Sequence, residues 1–143
     1  MTNLDLSQRD QLMTALDTMS KDDVEAAIQA LPGGVDAFLD GVFARMREAF
    51  NPAKAGSQSA DVQYELNTPD GPRSYVMRVA DGTAGVERGT SATPKVTLKM
   101  DLVDFLKLIT GKLSGMQAYM TGKLKASGDL FFAQTYQSWF NQP

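Results

Sequence analysis

The sequence predicts an α+β fold with four or five strands and about four or five helices. Three observations support this prediction. Strand patterns and helix patterns follow one another in blocks and do not form a strict βα repeat. The length of 143 residues suits one hydrophobic core. The composition, with 43% hydrophobic and 22% charged residues, is close to that of globular domains. We therefore expect a single compact domain.

The N-terminal part of the chain is predicted to be helical. Two short helices are expected over residues 7–31, and Ser20 with Asp23 resembles a capping box at the start of the second. A third helix is predicted from apolar residues at helical spacing, namely Val35, Leu39, Val42, Phe43, Met46 and Phe50. We expect residues 1–34 to form a helical N-terminal extension and residues 35–143 to form the main unit of the domain.

The middle of the chain is predicted to form the first strands of the sheet. A loop is expected over residues 51–60, where Ala, Ser and Gly are frequent. Apolar residues then occupy every second position on either side of a turn at residues 67–72, and two adjacent antiparallel strands follow from Val62, Tyr64, Leu66, Tyr75, Met77 and Val79. Asp81-Gly82 predicts a tight hairpin that leads into a weaker strand over residues 84–88.

The C-terminal third carries the clearest pattern of the chain. Residues 95–100 alternate between apolar and polar side chains and predict a half-buried strand. An amphipathic helix, a second short helix, a strand over residues 123–126 and a last helix with an aromatic stripe are then expected. The residues predicted to begin or end these elements are Asp101, Gly111, Ser114, Gly122, Gly128 and Asp129.

Composition excludes several classes of function. The chain has no cysteine and no histidine, which rules out disulfides, thiolate nucleophiles, Cys/His zinc sites and histidine bases, although a site built from carboxylates alone remains open. The net charge of −3 and the scattered lysines argue against nucleic-acid binding. We expect no enzyme activity, no catalytic residues, no metal and no cofactor. Without a signal peptide or a run of ~20 apolar residues, a cytoplasmic location is expected.

Several short motifs stand in a characteristic order along the chain. They are Phe43-Ala44-Arg45-Met46, Lys54-Ala55-Gly56, Pro94-Lys95-Val96-Thr97-Leu98-Lys99-Met100, Phe105-Leu106, Gly111-Lys112-Leu113, Met116-Gln117-Ala118-Tyr119-Met120, Gly122-Lys123-Leu124-Lys125 and Gly128-Asp129. Their order and spacing over roughly residues 35–140 resemble the sterol carrier protein type 2 family. The C-terminus lacks the peroxisomal address of some members, so the chain looks like a bacterial-type stand-alone domain.

The resemblance implies a five-stranded, mostly antiparallel sheet covered by about five helices, with an internal apolar tunnel. It also implies a soluble intracellular lipid-binding or lipid-transfer protein whose partner is a lipid ligand: a fatty acid, an acyl-CoA, a sterol or a prenyl lipid. The residues expected to line the tunnel are Phe43, Met46, Met100, Phe105, Ile109, Leu113, Met116, Met120, Leu124, Phe131, Phe132, Tyr136, Trp139 and Phe140. Those expected at its mouth, near the ligand headgroup, are Gln117, Gln134 and Lys112.

One departure from the family pattern leaves other functions open. After Gly128-Asp129 the family usually has small and aliphatic residues, whereas this chain has Leu130-Phe131-Phe132-Ala133. If the two phenyl rings narrow the tunnel, a linear chain is preferred over a sterol. If they fill it, the domain is a pocketless module for interaction or homo-oligomerisation. A further alternative is an accessory domain that presents a prenyl-tailed quinone intermediate to enzymes, and transient membrane contact also stays open.

Overall fold

A computed structural model describes residues 8–140 of the chain. Its helices are α1 (Arg9–Thr18), α2 (Lys21–Gln29), α3 (Gly34–Glu48), α4 (Pro52–Ala55), α5 (Leu102–Ile109), α6 (Gly115–Met120) and α7 (Leu130–Gln137). Its strands are β1 (Ala60–Thr68), β2 (Gly71–Ala80), β3 (Thr83–Arg88), β4 (Val96–Asp101) and β5 (Leu124–Gly128). In this described part of the chain, no helix has the length and apolar character needed to cross a bilayer.

The five strands form one sheet in the order β3-β2-β1-β4-β5. Three neighbouring pairs are antiparallel, and β1 and β4 are parallel, with Tyr64 opposite Leu98. The predicted hairpin at Asp81-Gly82 is confirmed, because both residues have positive φ, of 53° and 74°, as a two-residue type I′ turn requires. The expected α+β fold with a mostly antiparallel five-stranded sheet is thus confirmed.

Most of the predicted helix starts are confirmed by their hydrogen bonds. Ser20 Oγ accepts from the Asp23 amide at 3.2 Å, and Ser114 Oγ accepts from the Gln117 amide at 3.0 Å. Asp101 does precede α5, but its side chain makes no capping bond. Its carboxylate instead accepts hydrogen bonds from Lys21 and Asn67, so it joins α2 and β1 to the start of α5.

The described residues contain seven helices where about five were expected. One of the additional helices is α4, which lies in the segment predicted to be a loop. Pro52 occupies its first position, where a missing N–H costs nothing, and Asn51 Oδ1 accepts from the Ala53 amide at 3.1 Å. A single turn of helix therefore forms despite the loop-like composition around it.

The core lies between one face of the sheet and the helices that cover it. Phe43 of α3 is fully buried at its centre, and its ring centroid lies 4.3 Å from that of Tyr75 and 5.2 Å from those of Tyr64 and Phe105. The N-terminal helices contribute to the same core through Leu12, Ala15, Leu16, Val24 and Ile28. Residues 1–7 of the predicted extension and residues 141–143 lie outside the described range.

Polar contacts hold α3 in register on the sheet. The Arg73 guanidinium donates to Asp36 at 2.6 Å, and the Tyr75 hydroxyl donates to Asp40 at 2.7 Å. Arg88 also pairs with Asp40, and this pairing holds the pKa of the carboxyl below its ordinary value. The opposite side of α3 forms one wall of a cavity. These contacts therefore fix the position of that wall.

Candidate functional site

A cavity of about 500 Å³ lies between the core face of the sheet and helices α3, α5 and α7. Its volume falls within the range of about 300–1,000 Å³ that is common for small-molecule sites. The residues that line it are Leu12, Val42, Arg45, Met46, Ala49, Tyr64, Leu98, Met100, Phe105, Leu108, Ile109, Thr110, Gly111, Leu113, Ser114, Gly115, Leu124, Tyr136, Gln137 and Phe140. The site is therefore built from six helices or strands of the main unit together with α1 and the start of α6.

The cavity has a buried interior and an exposed rim. The buried lining residues are Leu12, Val42, Tyr64, Leu98, Met100, Phe105, Leu124 and Tyr136. The exposed lining residues are Arg45, Gly111, Ser114 and Gln137. An elongated amphipathic molecule would find apolar surface inside and polar groups at the rim, an arrangement that suits small-molecule binding.

Local sequence explains how these walls form. Val42, Arg45, Met46 and Ala49 follow the i, i+3, i+4, i+7 spacing of one helix face, so α3 turns all four toward the cavity. Val96, Leu98 and Met100 alternate on the core face of β4, and the last two reach the cavity. Gly115 packs so closely against Gln137 that a Cβ at this position would collide with its side-chain amide.

Two tyrosines supply the side-chain oxygens of the buried interior. Tyr64 on β1 and Tyr136 on α7 are 4% and 2% exposed, and their hydroxyl oxygens lie 2.8 Å apart in a hydrogen bond. Burial raises the pKa of both residues well above the ordinary tyrosine value, so both remain neutral at physiological pH. The described residues 8–140 contain no group of three or more acidic side chains placed to hold a metal ion.

Eight of the fourteen residues predicted to line a tunnel line this cavity. They are Met46, Met100, Phe105, Ile109, Leu113, Leu124, Tyr136 and Phe140. They were expected to line a tunnel because of the family resemblance described above. The structure brings them together from α3, β4, α5, the loop after α5, β5, α7 and the C-terminal end of the described chain.

Three of the other six predicted residues are buried but do not line the cavity. Phe43 lies in the aromatic core beneath it. Phe132 packs edge-on against Trp139, with ring centroids 5.3 Å apart, and the Lys95 ammonium lies 5.0 Å from the centroid of its ring. Trp139 is fully buried, and its indole N–H finds no hydrogen-bond acceptor within residues 8–140.

The remaining three predicted lining residues are exposed. Met116 and Met120 are 58% and 77% exposed because α6 turns Ala118 toward the core and the two methionines away from it. Phe131 is 86% exposed. Neither Phe131 nor Phe132 is among the residues that line the cavity.

None of the three residues predicted at the mouth lines the cavity. Gln117 on α6 and Gln134 on α7 are exposed, and the Lys112 ammonium donates to Asp17 of α1 at 2.6 Å. The polar rim is formed by other residues, which include Arg45 and Gln137. Arg45 follows Val42 at i+3 on the same face of α3, and this spacing could have indicated that Arg45 lies beside the cavity. A search for apolar residues alone does not select an arginine.

Comparisons with known proteins identify the family. Hydroxysteroid dehydrogenase-like protein 2 of Xenopus tropicalis is 38% identical over 61 residues, which cover 42% of this chain and 15% of that protein. Sterol carrier protein 2 of Homo sapiens is 31% identical over 84 residues, which cover 56% of this chain and 15% of that protein. This chain spans between 15% and 28% of the length of the curated relatives that it matches.

Solved structures share the fold. Sterol carrier protein 2 like 2 from Aedes aegypti superposes with a TM-score of 0.61 at 22% sequence identity, over 73% of this chain and 98% of that one. The family model described as the SCP-2 sterol transfer family matches residues 43–141, which is more than half of the chain. The chain therefore belongs to the SCP-2 sterol transfer family.

Proposed function

We propose that this protein binds a lipid in its cavity and transfers it between donor and acceptor sites. The observation that carries the proposal is the 500 Å³ cavity with an apolar buried lining, in a chain of a family whose members bind or transfer lipids. Removing one methylene from water contributes about 0.8 kcal/mol, so a chain of ~14 methylenes offers on the order of 11 kcal/mol before the costs of ordering. The ligand is a fatty acyl, sterol or similar apolar molecule.

The rival function, a pocketless interaction module, depended on Phe131 and Phe132 filling the cavity. Since neither side chain lines it, the cavity supports lipid binding over that rival. The preference for a linear chain over a sterol stays a prediction from the sequence. Presentation of a prenyl-tailed quinone to enzymes is a narrower form of the proposed function. The lack of enzyme activity, the cytoplasmic location and homo-oligomerisation stay predictions from the sequence.

Lipid binding predicts a higher melting temperature in the presence of ligand. Palmitate at about 100 times its Kd is expected to stabilise the folded state by about 2.7 kcal/mol, which for this chain length corresponds to a Tm increase of about 8 °C. Differential scanning calorimetry measures the shift. Native mass spectrometry of the same sample is expected to show a one-to-one complex. A sterol tested in parallel measures whether the cavity also accepts a rigid ligand.

The same experiment can contradict the proposal. If neither palmitate nor a sterol raises Tm, and the protein mass remains that of the bare chain after incubation with both, the cavity does not bind lipid and the interaction module becomes the better proposal. Octanoate serves as the matched control, since its shorter chain buries fewer methylenes and is expected to give a smaller shift at equal concentration.

Lipid exchange requires contact with a membrane, and helix α6 presents an apolar face beside the cavity. Met116, Tyr119 and Met120 lie at i, i+3 and i+4 and are 58%, 47% and 77% exposed. Ala118 on the opposite side of α6 is buried. Residues 113–115, directly before this face, line the cavity. A surface contacted by the α6 face would thus lie next to the proposed ligand.

The charge around α6 complements an anionic surface. Residues 105–128 contain four lysines and no acidic residue, so this segment contributes +4 to a chain of net charge −3 and the remaining residues carry −7. Lys123 and Lys125 are exposed and, within the described part of the chain, form no ion pair. Lys99 lies directly opposite Lys125 on β4, which adds a further positive charge beside them.

We further propose that the α6 face docks on membranes that contain anionic lipids. The variant Lys123→Gln/Lys125→Gln is expected to bind vesicles of phosphatidylcholine with phosphatidylglycerol about thirtyfold more weakly, because each lysine near such a surface contributes about 1 kcal/mol. Co-sedimentation measures the affinity. The control variant Arg47→Gln/Lys54→Gln removes two exposed positive charges outside the segment and is expected to bind nearly as well as the unmodified protein. Equal losses in the two variants would overturn the assignment of the docking face to α6.

A further inference from the structure

The buried interior of the cavity contains an incomplete hydrogen-bond network. Of its eight lining residues, six carry hydrocarbon or thioether side chains, and Tyr64 and Tyr136 are the other two. Their hydroxyl oxygens lie 2.8 Å apart. The polar groups of the rim, among them Arg45 and Gln137, are on exposed residues and belong to a different part of the cavity.

Counting hydrogens reveals an unused donor. Two tyrosine hydroxyls carry two hydrogens, and the bond between their oxygens uses one of them. Within the described residues neither hydroxyl has another hydrogen-bond partner. The rings around the pair, those of Phe43 and Phe105 beside Tyr64 and of Trp139 beside Tyr136, offer no oxygen acceptor. One buried O–H is therefore left without an acceptor, a condition that proteins generally avoid.

Resting on the proposed lipid-binding function, we propose that the Tyr64–Tyr136 pair is an anchoring site that donates this hydrogen to a neutral carbonyl oxygen of the ligand. Both tyrosines line the cavity, so a molecule inside it is the available source of an acceptor. Either hydroxyl serves as donor, since the bond between the two can run in either direction.

The charge of the surroundings selects the chemical class of the acceptor. A carboxylate at the tyrosine pair would be an anion buried among apolar side chains without a cation, which is strongly unfavourable. Arg45, the cation that lines the cavity, is exposed at the rim. A free carboxylate would therefore remain at the rim, whereas a ketone, ester or similar carbonyl within an apolar chain matches the interior.

The test uses 2-undecanone, a ketone with an apolar chain. Its carbonyl stretch in the complex is measured by infrared difference spectroscopy between the ¹³C=O and ¹²C=O forms. We expect a band shifted to lower frequency relative to the ketone in hydrocarbon, as a hydrogen bond to the carbonyl requires. In the variant Tyr64→Phe/Tyr136→Phe the band is expected at the hydrocarbon frequency, and the affinity for the ketone is expected to fall about fivefold, the typical net effect of one hydrogen bond.

Single variants provide the matched control. In Tyr64→Phe or Tyr136→Phe the remaining hydroxyl keeps its hydrogen and is free to donate to the ketone, so each single variant is expected to retain a shifted band. A purely structural role of the pair would not produce this difference between single and double variants. If the double variant fails to fold, the position of the band in the unmodified protein decides the question.

The outcomes separate this proposal from the proposed function. If 2-undecanone binds and its carbonyl band lies at the hydrocarbon frequency, the anchoring site is excluded while lipid binding stands. If neither 2-undecanone nor palmitate binds, the proposed function itself fails, and the anchoring site with it. If palmitate binds and 2-undecanone does not, the preference for a neutral carbonyl is overturned.

Discussion

Replacing Ala49 with tryptophan is expected to weaken long-chain lipid binding about fiftyfold and to leave the fold intact. Ala49 follows the last turn of α3, lines the cavity and is half-buried, so a larger side chain can extend into empty space. If the indole excludes only three methylenes of the ligand, at about 0.8 kcal/mol each, the loss of about 2.4 kcal/mol corresponds to roughly fiftyfold. Displacement of a fluorescent fatty acid measures the change.

The matched control for this prediction is Ala53→Trp. Ala53 lies in the neighbouring helix α4, is exposed and does not line the cavity, so the same substitution there is expected to leave affinity unchanged. Circular dichroism and thermal melting of both variants verify that the fold is retained. Unchanged lipid affinity in a folded Ala49→Trp protein would mean that lipids bind elsewhere on the molecule.

Local features of the fold were predictable because they depend on neighbouring residues. The alternation of Val96, Leu98 and Met100 predicted which face of β4 is buried, and all three are buried on the core side. Ser20 and Ser114 were predicted as helix caps because their side chains bond amides only three residues away. A cap residue bonds an amide within one helical turn, and strand alternation relates residues two positions apart. Both patterns are therefore visible in the sequence itself.

The exposed face of α6 was not predictable by the same reasoning. Flexible methionine side chains suit an apolar cavity, and Met116 and Met120 were expected to line the tunnel for that reason. A helix of six residues has room for only a narrow buried face, and Ala118 occupies it. The orientation of α6 is instead determined by packing against β5 and by the close contact of Gly115 with Gln137, both of which are tertiary features.

The polar part of the cavity required long-range information as well. Alternation in β1 indicated that Tyr64 faces inward with Val62 and Leu66, but nothing nearby in the sequence indicates its partner. Tyr136 lies 72 residues later and reaches it because α7 returns across β4 after the last strand. Such a pair depends on the complete topology, so the sequence identified many of the apolar residues of the cavity and Tyr136, but not the pairing of Tyr136 with Tyr64.

Replacing Gly128 with alanine is expected to destabilise the protein by about 3 kcal/mol, the largest effect on stability that we predict. Gly128 has a φ of 100°, a conformation that costs an L-residue roughly 1–2 kcal/mol. A Cβ there would also collide with the Lys95 carbonyl oxygen and lie 3.0 Å from Val96 Cα, which adds about 1–3 kcal/mol because backbone cannot easily move away. Urea denaturation measures the free energy of unfolding.

Gly122→Ala separates the two contributions to this effect. Gly122 has a φ of 78°, similarly unfavourable for alanine, but nothing lies within 4 Å of the position that its Cβ would take. Its replacement is therefore expected to cost only the conformational part, about 1–2 kcal/mol. Equal costs for the two variants would contradict the close approach of Gly128 to β4.

The close approach of Gly128 to β4 matters for function, because the Asp129 amide donates to the Lys95 carbonyl oxygen and the Asp129 side chain caps α7, the helix that brings Tyr136 to the cavity. A folded Gly128→Ala protein is consequently expected to lose lipid affinity together with stability, whereas Gly122→Ala is expected to keep its affinity.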